Sequence, residues 1–267
     1  MFLYYIDTMI STYIDKYFLK KPLLRKIITR LVEGNKNFRA SFFNLDIYLN
    51  SVKEHGYLRS SRLINSSAFL RDEVPVLLNL ANLVEDRDTF VDVGANIGMY
   101  SVFFSHFKKL KKNIQIFAYE ANPNTFKRLN INAIKYNFNC INIAISDTNK
   151  TLEFVEGAVS HVFTTVENKS TYNFNQKTVK VKSSTLCHEN IPGNHIILKI
   201  DVEGQELNVL NGARKLFIQN RIKAVFIDGF TNPEIPQFLL NFNFSLMNAQ
   251  SLESTFQDGC QLLAIKN

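Results

Sequence analysis

Acidic residues stand at the ends of five short apolar runs that are typical of β-strands. They are Asp92, Glu120, Asp147, Asp201 and Asp228. In open parallel sheets, ligands bind beyond the carboxyl ends of the strands. Carboxylates there can accept hydrogen bonds from hydroxyl groups, hold a cation or take a proton from a reacting group. We therefore expect a binding and catalytic site at these strand ends.

The turn after the first run, in VDVGANIG, contains Gly94, Ala95, Asn96 and Gly98. Glycine lets the chain turn sharply and lets a ligand approach the backbone. The G-x-x-x-G spacing lacks the third glycine of the dinucleotide fingerprint, and no Lys-Ser/Thr pair of a triphosphate loop follows. Asp92 beside this turn suits a cationic group, such as the amino group of S-adenosylmethionine (SAM). The turn alone could also be only a tight strand–helix connection.

The next two strand ends supply further candidates for cofactor binding. Glu120 closes IQIFAYE and is followed by Ala121 and Asn122. An acidic side chain at this position can accept hydrogen bonds from both ribose hydroxyls, although it could instead serve the next helix N-terminus. Ser146 and Asp147 could meet an adenine edge, although turn chemistry alone also explains them. Together with the glycine turn, these residues predict SAM as cofactor and S-adenosylhomocysteine as product.

Catalytic candidates lie in LKIDVEG, where Lys199, Asp201 and Glu203 alternate along one strand end. Methyl transfer to a hydroxyl needs in-line positioning and a group that takes the proton. Asp201 is the first candidate for that base. Alternatively, Asp201 holds the methionine end of SAM, Glu203 caps the next helix and Lys199 forms a buried salt bridge. His161, in the polar segment after the third strand, is either a further base or an incidental loop residue.

A divalent metal is a further possibility at this strand end, because hard cations prefer oxygen ligands. The two carboxylates of LKIDVEG could bind Mg²⁺ together with the acceptor. The pattern lacks a dedicated third acid, so we do not expect a metal.

These side chains have to be positioned by strands that alternate with helices along most of the chain. After Arg87, short β-type runs and helical segments follow each other through the closing runs FSLMNA and CQLLAIKN. Such alternation predicts a mostly parallel sheet with right-handed crossovers and helices on both faces. The first 70 or so residues are predicted to be helices joined by short polar loops.

Four stretches resemble the FkbM-type family of SAM-dependent methyltransferases: FVDVGANIGMYSVFF, AYEANPNTFKRLNINA, NIAISD and LKIDVEGQELNVLNGA. The resemblance covers roughly residues 73–230. It implies a Rossmann-like, seven-stranded α/β fold whose last strand is antiparallel, and methyl transfer to a hydroxyl oxygen. It also implies that Glu73 contributes to the cofactor site. The family usually ends its fifth strand in a glutamate, whereas this chain has Asp228.

The resulting expectation is a helical extension over residues 1–70 and a SAM-dependent methyltransferase domain over residues 71–267. We expect an O-methyltransferase acting on a sugar hydroxyl of a glycan or glycolipid precursor. The alternatives are a natural-product hydroxyl, a nucleic acid, a non-catalytic SAM-binding protein and an NAD-dependent sugar oxidoreductase. The missing third glycine argues against NAD, and the missing D/N-P-P-Y/F motif argues against methylation of base amines.

Composition sets the remaining expectations. Hydrophobic residues make up 46% and charged residues 21%, as in an ordinary soluble domain. Cys140, Cys187 and Cys260 are far apart, which argues against a zinc site or a disulfide framework and suits a reducing cytosol. The chain start has no basic n-region, and no apolar stretch approaches the roughly 20 residues of a membrane span. We therefore expect a cytoplasmic protein.

The positive charge is concentrated near the start of the chain. The net charge is +7, and residues 1–40 hold eight Lys or Arg against three acids, a difference of +5. A basic segment rich in Tyr, Phe, Leu and Ile could rest on an anionic membrane or touch nucleic acid. It could also be an amphipathic helix packed on the main domain. Peripheral contact with the inner face of the membrane is the expectation to test, and a nucleic-acid partner is not expected.

Overall fold

The structure is a computed structural model that describes residues 22–42, 44–62, 69–107, 113–156, 163–165, 178–193, 195–254, 257 and 259–267. Backbone contacts divide the chain into two compact units, residues 1–74 and 75–267. The domain boundary expected after residue 70 falls just before this division. Within the described residues, no helix has both the length and the apolarity to cross a bilayer.

The described residues of the first unit form two helices, a hairpin and one helical turn. Its elements are α1 (Pro22–Glu33), β1 (Asn37–Phe42), β2 (Leu45–Asn50), α2 (His55–Arg62) and a π-helical turn (Phe69–Glu73). Strands β1 and β2 pair antiparallel from Asn37↔Asn50 to Phe42↔Leu45. The prediction of helices throughout the first 70 residues is therefore wrong for residues 37–50.

The hairpin follows from a period of two in the side chains, which the helical interpretation overlooked. Ala40 and Phe42 alternate with exposed residues on β1, and Ile47 and Leu49 are buried on β2. A strand places alternate side chains on one face, whereas a helix would spread these residues around its circumference. The turn carries Asn44 at φ +67°, a left-handed conformation that asparagine tolerates better than most residues.

The second unit alternates helices and strands, as expected. Its helices are α3 (Val74–Leu83, which begins at the division), α4 (Met99–Phe107), α5 (Pro123–Tyr136), α6 (Glu206–Gly212), α7 (Arg214–Ile218) and α8 (Glu234–Asn241). The strands of its main sheet are β3 (Thr89–Val93), β4 (Gln115–Tyr119), β5 (Asn139–Ile141), β10 (Ile196–Ile200), β11 (Ile222–Asp228), β12 (Phe244–Asn248) and β13 (Gln261–Lys266).

The main sheet has seven strands in the order β12-β13-β11-β10-β3-β4-β5. Neighbouring strands from β11 to β5 are parallel, while β13 pairs antiparallel with both β11 and β12. The predicted seven-stranded fold with an antiparallel last strand is confirmed. Strands β3 and β10 lie at its centre and are buried along their whole length, which explains their continuous apolar runs.

A second, four-stranded sheet is built from the segment between the third and fourth strands of the main sheet. It has the order β6-β9-β7-β8, with β6 (Ala144–Ile145), β7 (Thr151–Glu156), β8 (Phe163–Thr165) and β9 (Thr178–Ser184). The predicted run CINIAIS is therefore split between β5 in one sheet and β6 in the other. This small sheet stands beside the carboxyl ends of the main strands, where the candidate site lies.

The turn of the first hairpin provides a direct test. We expect Asn44→Ala to destabilise the protein by about 1 kcal/mol relative to Asn44→Gly, because only glycine avoids the left-handed steric cost. Urea unfolding of the two variants measures the difference. Equal midpoints with equal slopes would contradict the left-handed turn.

Candidate active site

The carboxyl edge of the main sheet opens into a cleft with about 710 Å³ of space, part of it open to solvent. The ends of β3, β4 and β10 line it together with β6 and β7. Seven of the residues predicted for the site line it: Gly94, Asn96, Glu120, Ala121, Ser146, Asp201 and Glu203. Six more, all in the second unit, do not line it: Asp92, Ala95, Gly98, Asn122, Asp147 and Lys199.

Gly94 makes the close approach of two strand ends possible. It adopts φ +73°, and a Cβ there would lie 1.8 Å from the backbone oxygen of Asp201. The amides of Gly94 and Ala95 both donate to the carbonyl of Tyr119 at 3.0 Å. The turn therefore joins the ends of β3, β4 and β10 and presents bare backbone to the cleft.

Gly98 serves helix packing, contrary to the cofactor role predicted for it. It adopts φ +85°, and a Cβ would lie 2.6 Å from Cδ1 of Leu129 and 3.3 Å from the ring of Phe138. The glycine lets α4 start close against α5. Ala95, buried in the same turn, also lies away from the cleft.

Glu120 is a well-defined polar group of the cleft. Its Oε2 accepts from the amide of Asn96 and its Oε1 from the amide of Asn122, both at 2.8 Å. Burial raises the pKa of Glu120 to about 7, and these two hydrogen bonds only partly oppose the rise. Because each carboxylate oxygen can accept a further hydrogen bond, the group can still receive hydroxyl donors from a ligand.

Asn122 and Asp147 act locally. The Asn122 side chain caps α5 by accepting from the amides of Asn124 and Thr125, and its own amide donates to Glu120, so its contact with the cofactor stays a prediction. Asp147 is exposed and accepts from the Ser146 hydroxyl at 3.2 Å. Only Ser146 of that pair reaches the cleft.

Beneath the cleft lies a buried ion pair. Lys199 Nζ is 3.0 Å from Oδ1 of Asp92, its direct neighbour in the β10–β3 register. The same ammonium donates to the carbonyl of Gly94 at 2.9 Å and lies 3.5 Å from Oδ2 of Asp201. Oδ2 of Asp92 accepts from the Ser101 hydroxyl at 2.7 Å.

This pairing shows Lys199 in the buried salt bridge that was one of its predicted roles, and it gives Asp92 a protein partner in place of the predicted cofactor. Asp92 is fully buried and engaged by protein groups, so direct contact with the amino group of SAM is not what the structure offers. Burial lowers the pKa of Lys199, but the charges of Asp92 and Asp201 outweigh it and the pKa is raised. The ammonium therefore stays protonated and cannot act as a base.

Asp201 and Glu203 face the cleft from the loop after β10. The pKa of Asp201 is raised by burial, against which Lys199 acts, and by the nearby charges of Asp228 and Asp92. Burial, with Asp201, Glu206 and Asp228, raises the pKa of Glu203 to about 7. Carboxylates with raised pKa values can take up a proton near neutral pH, as a general base must.

Comparison with known proteins now identifies the family. The model of the "Methyltransferase FkbM domain" matches residues 92–246. This chain belongs to that family. The family resemblance found in the sequence is thus confirmed. The matched segment begins at Asp92, includes the loop of Asp201 and ends in strand β12.

Individual relatives are more distant. The hexuronic acid methyltransferase AglP of Haloferax volcanii is 31% identical over 148 residues, covering 54% of this chain and 57% of AglP. The chain thus matches little more than half the length of this curated relative. A solved FkbM methyltransferase from Methylobacillus flagellatus KT is 15% identical with a TM-score of 0.44, covering 68% of this chain and 44% of that one.

A precorrin-6y C5,15-methyltransferase from Geobacter metallireducens GS-15 is 13% identical with a TM-score of 0.40, covering 72% of this chain and 87% of that one.

The predictions for two further residues are not tested. Glu73 ends the π-helical turn of the first unit, so its contact with the cofactor stays a prediction. His161 lies outside the described residues, and its role as a base also stays a prediction.

Sequence analysis missed the apolar wall of the cleft. Leu152 and Phe154 line it as alternate residues of β7, together with Ile143 and Val202. The alternation in TLEFVE was the available signal, but it shows which residues share a face and not what that face meets. The loop after β10 is also held differently than proposed, because Glu206, rather than Glu203, accepts from the amide of Gly204 at 2.9 Å.

Among the described residues, one group of two acids and a histidine is close enough together to hold a metal ion. It lies away from the cleft. Glu85, Asp88 and His195 precede β3 and β10, at the opposite edge of the sheet. Lys223 lies 2.8 Å from Glu85 and 3.4 Å from Asp88. A protein cation already neutralises this group.

The buried pair predicts a large loss of stability when one partner is removed. We expect Lys199→Met to cost about 3–5 kcal/mol, because Asp92 would be left as an uncompensated buried charge. Adding Asp92→Asn should restore part of the lost stability. The double variant should then be destabilised by less than the sum of the two single variants. Guanidinium unfolding of the four proteins measures the coupling.

Lys182→Met on the exposed face of β9 is the matched control, expected within about 0.5 kcal/mol of wild type. Strictly additive losses would show that Asp92 and Lys199 do not depend on each other.

Proposed function

We propose that this protein is a SAM-dependent O-methyltransferase that acts on a sugar hydroxyl of a glycan or glycolipid precursor. The observation that carries the proposal is one cleft with two chemically different sides. Glu120 and the bare turn at Gly94 make up what we call the first side, and Asp201 and Glu203, which follow β10, make up the second. Membership of the FkbM family and the similarity to a methyltransferase of hexuronic acid support a sugar acceptor.

The residues on the first side fit SAM. The carboxylate of Glu120 would accept the ribose hydroxyls, and the turn at Gly94 leaves room for a ligand against the backbone. Ala121, Ile145 and Ser146 would border the adenine. When bound, the cofactor supplies an electrophilic methyl group on a sulfonium. Asp92 would contribute indirectly, by fixing Lys199 and through it the carbonyl of Gly94.

The residues on the second side fit the acceptor. Asp201 would accept the proton of the attacking hydroxyl while the oxygen forms its new bond to carbon, leaving S-adenosylhomocysteine. Lys199, 3.5 Å away, would hold this carboxylate in position and keep it partly ionised. Glu203 would orient a second hydroxyl of the sugar. The apolar wall at Leu152 and Phe154 would limit water near the reacting atoms.

The two sides predict separable defects. We expect Glu120→Ala to weaken SAM binding at least about tenfold, because charge-assisted hydrogen bonds are lost. We expect Asp201→Asn to lower the single-turnover rate by a factor of about 10² to 10⁴ with little change in SAM affinity. Calorimetry with SAM and single-turnover assays on the acceptor measure the two effects.

Asp147→Asn is the control, since that exposed carboxylate does not line the cleft. Unchanged SAM affinity in Glu120→Ala would remove the cofactor assignment. Wild-type turnover in Asp201→Asn would leave a SAM-binding protein whose base is another group.

We also propose peripheral contact of the first unit with an anionic membrane at the cytoplasmic face. Helix α1 exposes Leu24, Ile27 and Leu31 on one face, with Leu31 79% exposed. On the helical wheel, Lys26 lies on the opposite side and Arg30 flanks the apolar face. A basic amphipathic helix of this kind binds anionic lipid through apolar insertion and charge. Lipid-linked saccharides would then be within reach.

Leu31→Asp should reduce co-sedimentation with phosphatidylserine vesicles several-fold, because it places a negative charge on the apolar face. Ile134→Asp is the matched control, since Ile134 is 75% exposed on α5 of the other unit. With vesicles of neutral lipid, little of the wild type or of either variant should co-sediment. Equal losses in both variants would remove the membrane proposal.

A further inference from the structure

We propose that the acceptor carries no carboxylate where it meets the cleft, and that Glu203 enforces this selection. The inference rests on the proposed function and narrows its substrate class. It separates this chain from AglP, whose stated substrate class, a hexuronic acid, carries a carboxylate.

The described walls of the cleft carry charge of one sign only. The charged lining residues are Glu120, Asp201 and Glu203, and no described lining residue is Lys or Arg. Asp228 lies close enough for its charge to raise the pKa of both Asp201 and Glu203. An anion entering the acceptor side would therefore meet several carboxylates.

Lys199, the cation nearest to these acids among the residues that the structure describes, cannot serve such an anion. It is 3% exposed and is engaged by Asp92, by the carbonyl of Gly94 and by Asp201. Drawing it away would leave Asp92 buried without its cation, which is costly. Its charge is therefore paired with groups of the protein and is not available to a ligand in the cleft.

Asp228 is itself held in place as a hydrogen-bond acceptor. Gln261 Nε2 donates to Oδ1 of Asp228 at 2.8 Å, and Gln250 Nε2 donates to Oε1 of Gln261 at 2.8 Å. Asp228 and Gln261 are direct neighbours in the register of β11 and β13. This chain of amides orients the carboxylate, and its other oxygen is able to accept from a donor.

Fixed carboxylates match a saccharide that presents hydroxyl groups and reject one that presents a carboxylate. A hydroxyl can donate to a carboxylate oxygen, whereas a carboxylate has no proton to donate at neutral pH. Like charges placed a few ångströms apart in a partly desolvated cleft repel strongly. Specificity of this kind comes from the repulsion of the wrong ligand as well as the binding of the right one.

The experiment uses saccharides released by mild acid from the glycans and lipid-linked precursors of the source cell. Anion exchange first separates them into an unretained fraction and a uronate-containing retained fraction. Each is incubated at equal saccharide concentration with the full chain and SAM labelled in its methyl group. Mild alkali then removes methyl esters, so that the remaining label reports methyl ethers.

We expect at least about ten times more alkali-stable label in the unretained fraction. With the assay run at about pH 8, Glu203→Gln should narrow this preference at least about threefold, because it removes a carboxylate of the cleft that is mostly ionised above its pKa of about 7 while the shape is kept. Asp86→Asn is the matched control, since it removes one exposed negative charge before β3, at the opposite edge of the sheet. Its preference should equal that of wild type. SAM affinity, measured separately, should stay unchanged in both variants.

Three results would count against the inference in different ways. More label in the retained fraction, or label that alkali removes, would overturn it while the methyltransferase function stands. Equal narrowing by Glu203→Gln and Asp86→Asn would overturn the role of Glu203. Label in neither fraction would overturn the proposed function, and this inference with it.

Discussion

The buried ion pair between Asp92 and Lys199 is the constraint on which the site depends. Its two residues lie side by side on the central strands β3 and β10, where every neighbouring position is apolar and buried. Burying such a pair gives little net stability over well-packed apolar side chains, but it strongly penalises any arrangement that separates the charges. The pair therefore specifies register at the centre of the sheet. It also ties the turn at Gly94 to the loop of Asp201, and so joins the two sides of the cleft.

The same lysine balances the chemistry of Asp201. Burial alone would push this carboxyl towards its neutral form, in which it could not take a proton. An ion pair at short range would instead make the carboxylate too weak a base. At 3.5 Å, the charge of Lys199 lowers the pKa of Asp201, whereas burial and the charges of Asp228 and Asp92 raise it. The resulting pKa remains raised. Asp201 can thus remain reactive in a place from which water is partly excluded.

Local patterns in the sequence predicted the main sheet well because its central strands are buried on both faces and read as apolar runs. They predicted Glu120, Asp201 and Glu203 because acids at strand ends have few structural reasons to be there. Asp92 was misjudged because only the register across the sheet shows that it faces Lys199. The apolar wall from β7 depends on pairing with β9, a non-local contact that leaves no mark in either strand. The hairpin of β1 and β2 was not predicted, because its alternating buried and exposed side chains were interpreted as helices joined by polar loops.

The chain as a whole is positively charged, whereas the described lining of the cleft carries only negative charge. The two charges act over different ranges. The net charge of +7 suggests anionic partners, yet most of that excess belongs to residues 1–40. Exposed charges act through solvent and are screened over about 8 Å at physiological salt. The carboxylates of the cleft act at contact distance in a medium where charge is poorly screened. A basic protein can thus be drawn to an anionic surface and still select an acceptor that has no negative charge, because the two fields act at different places and ranges.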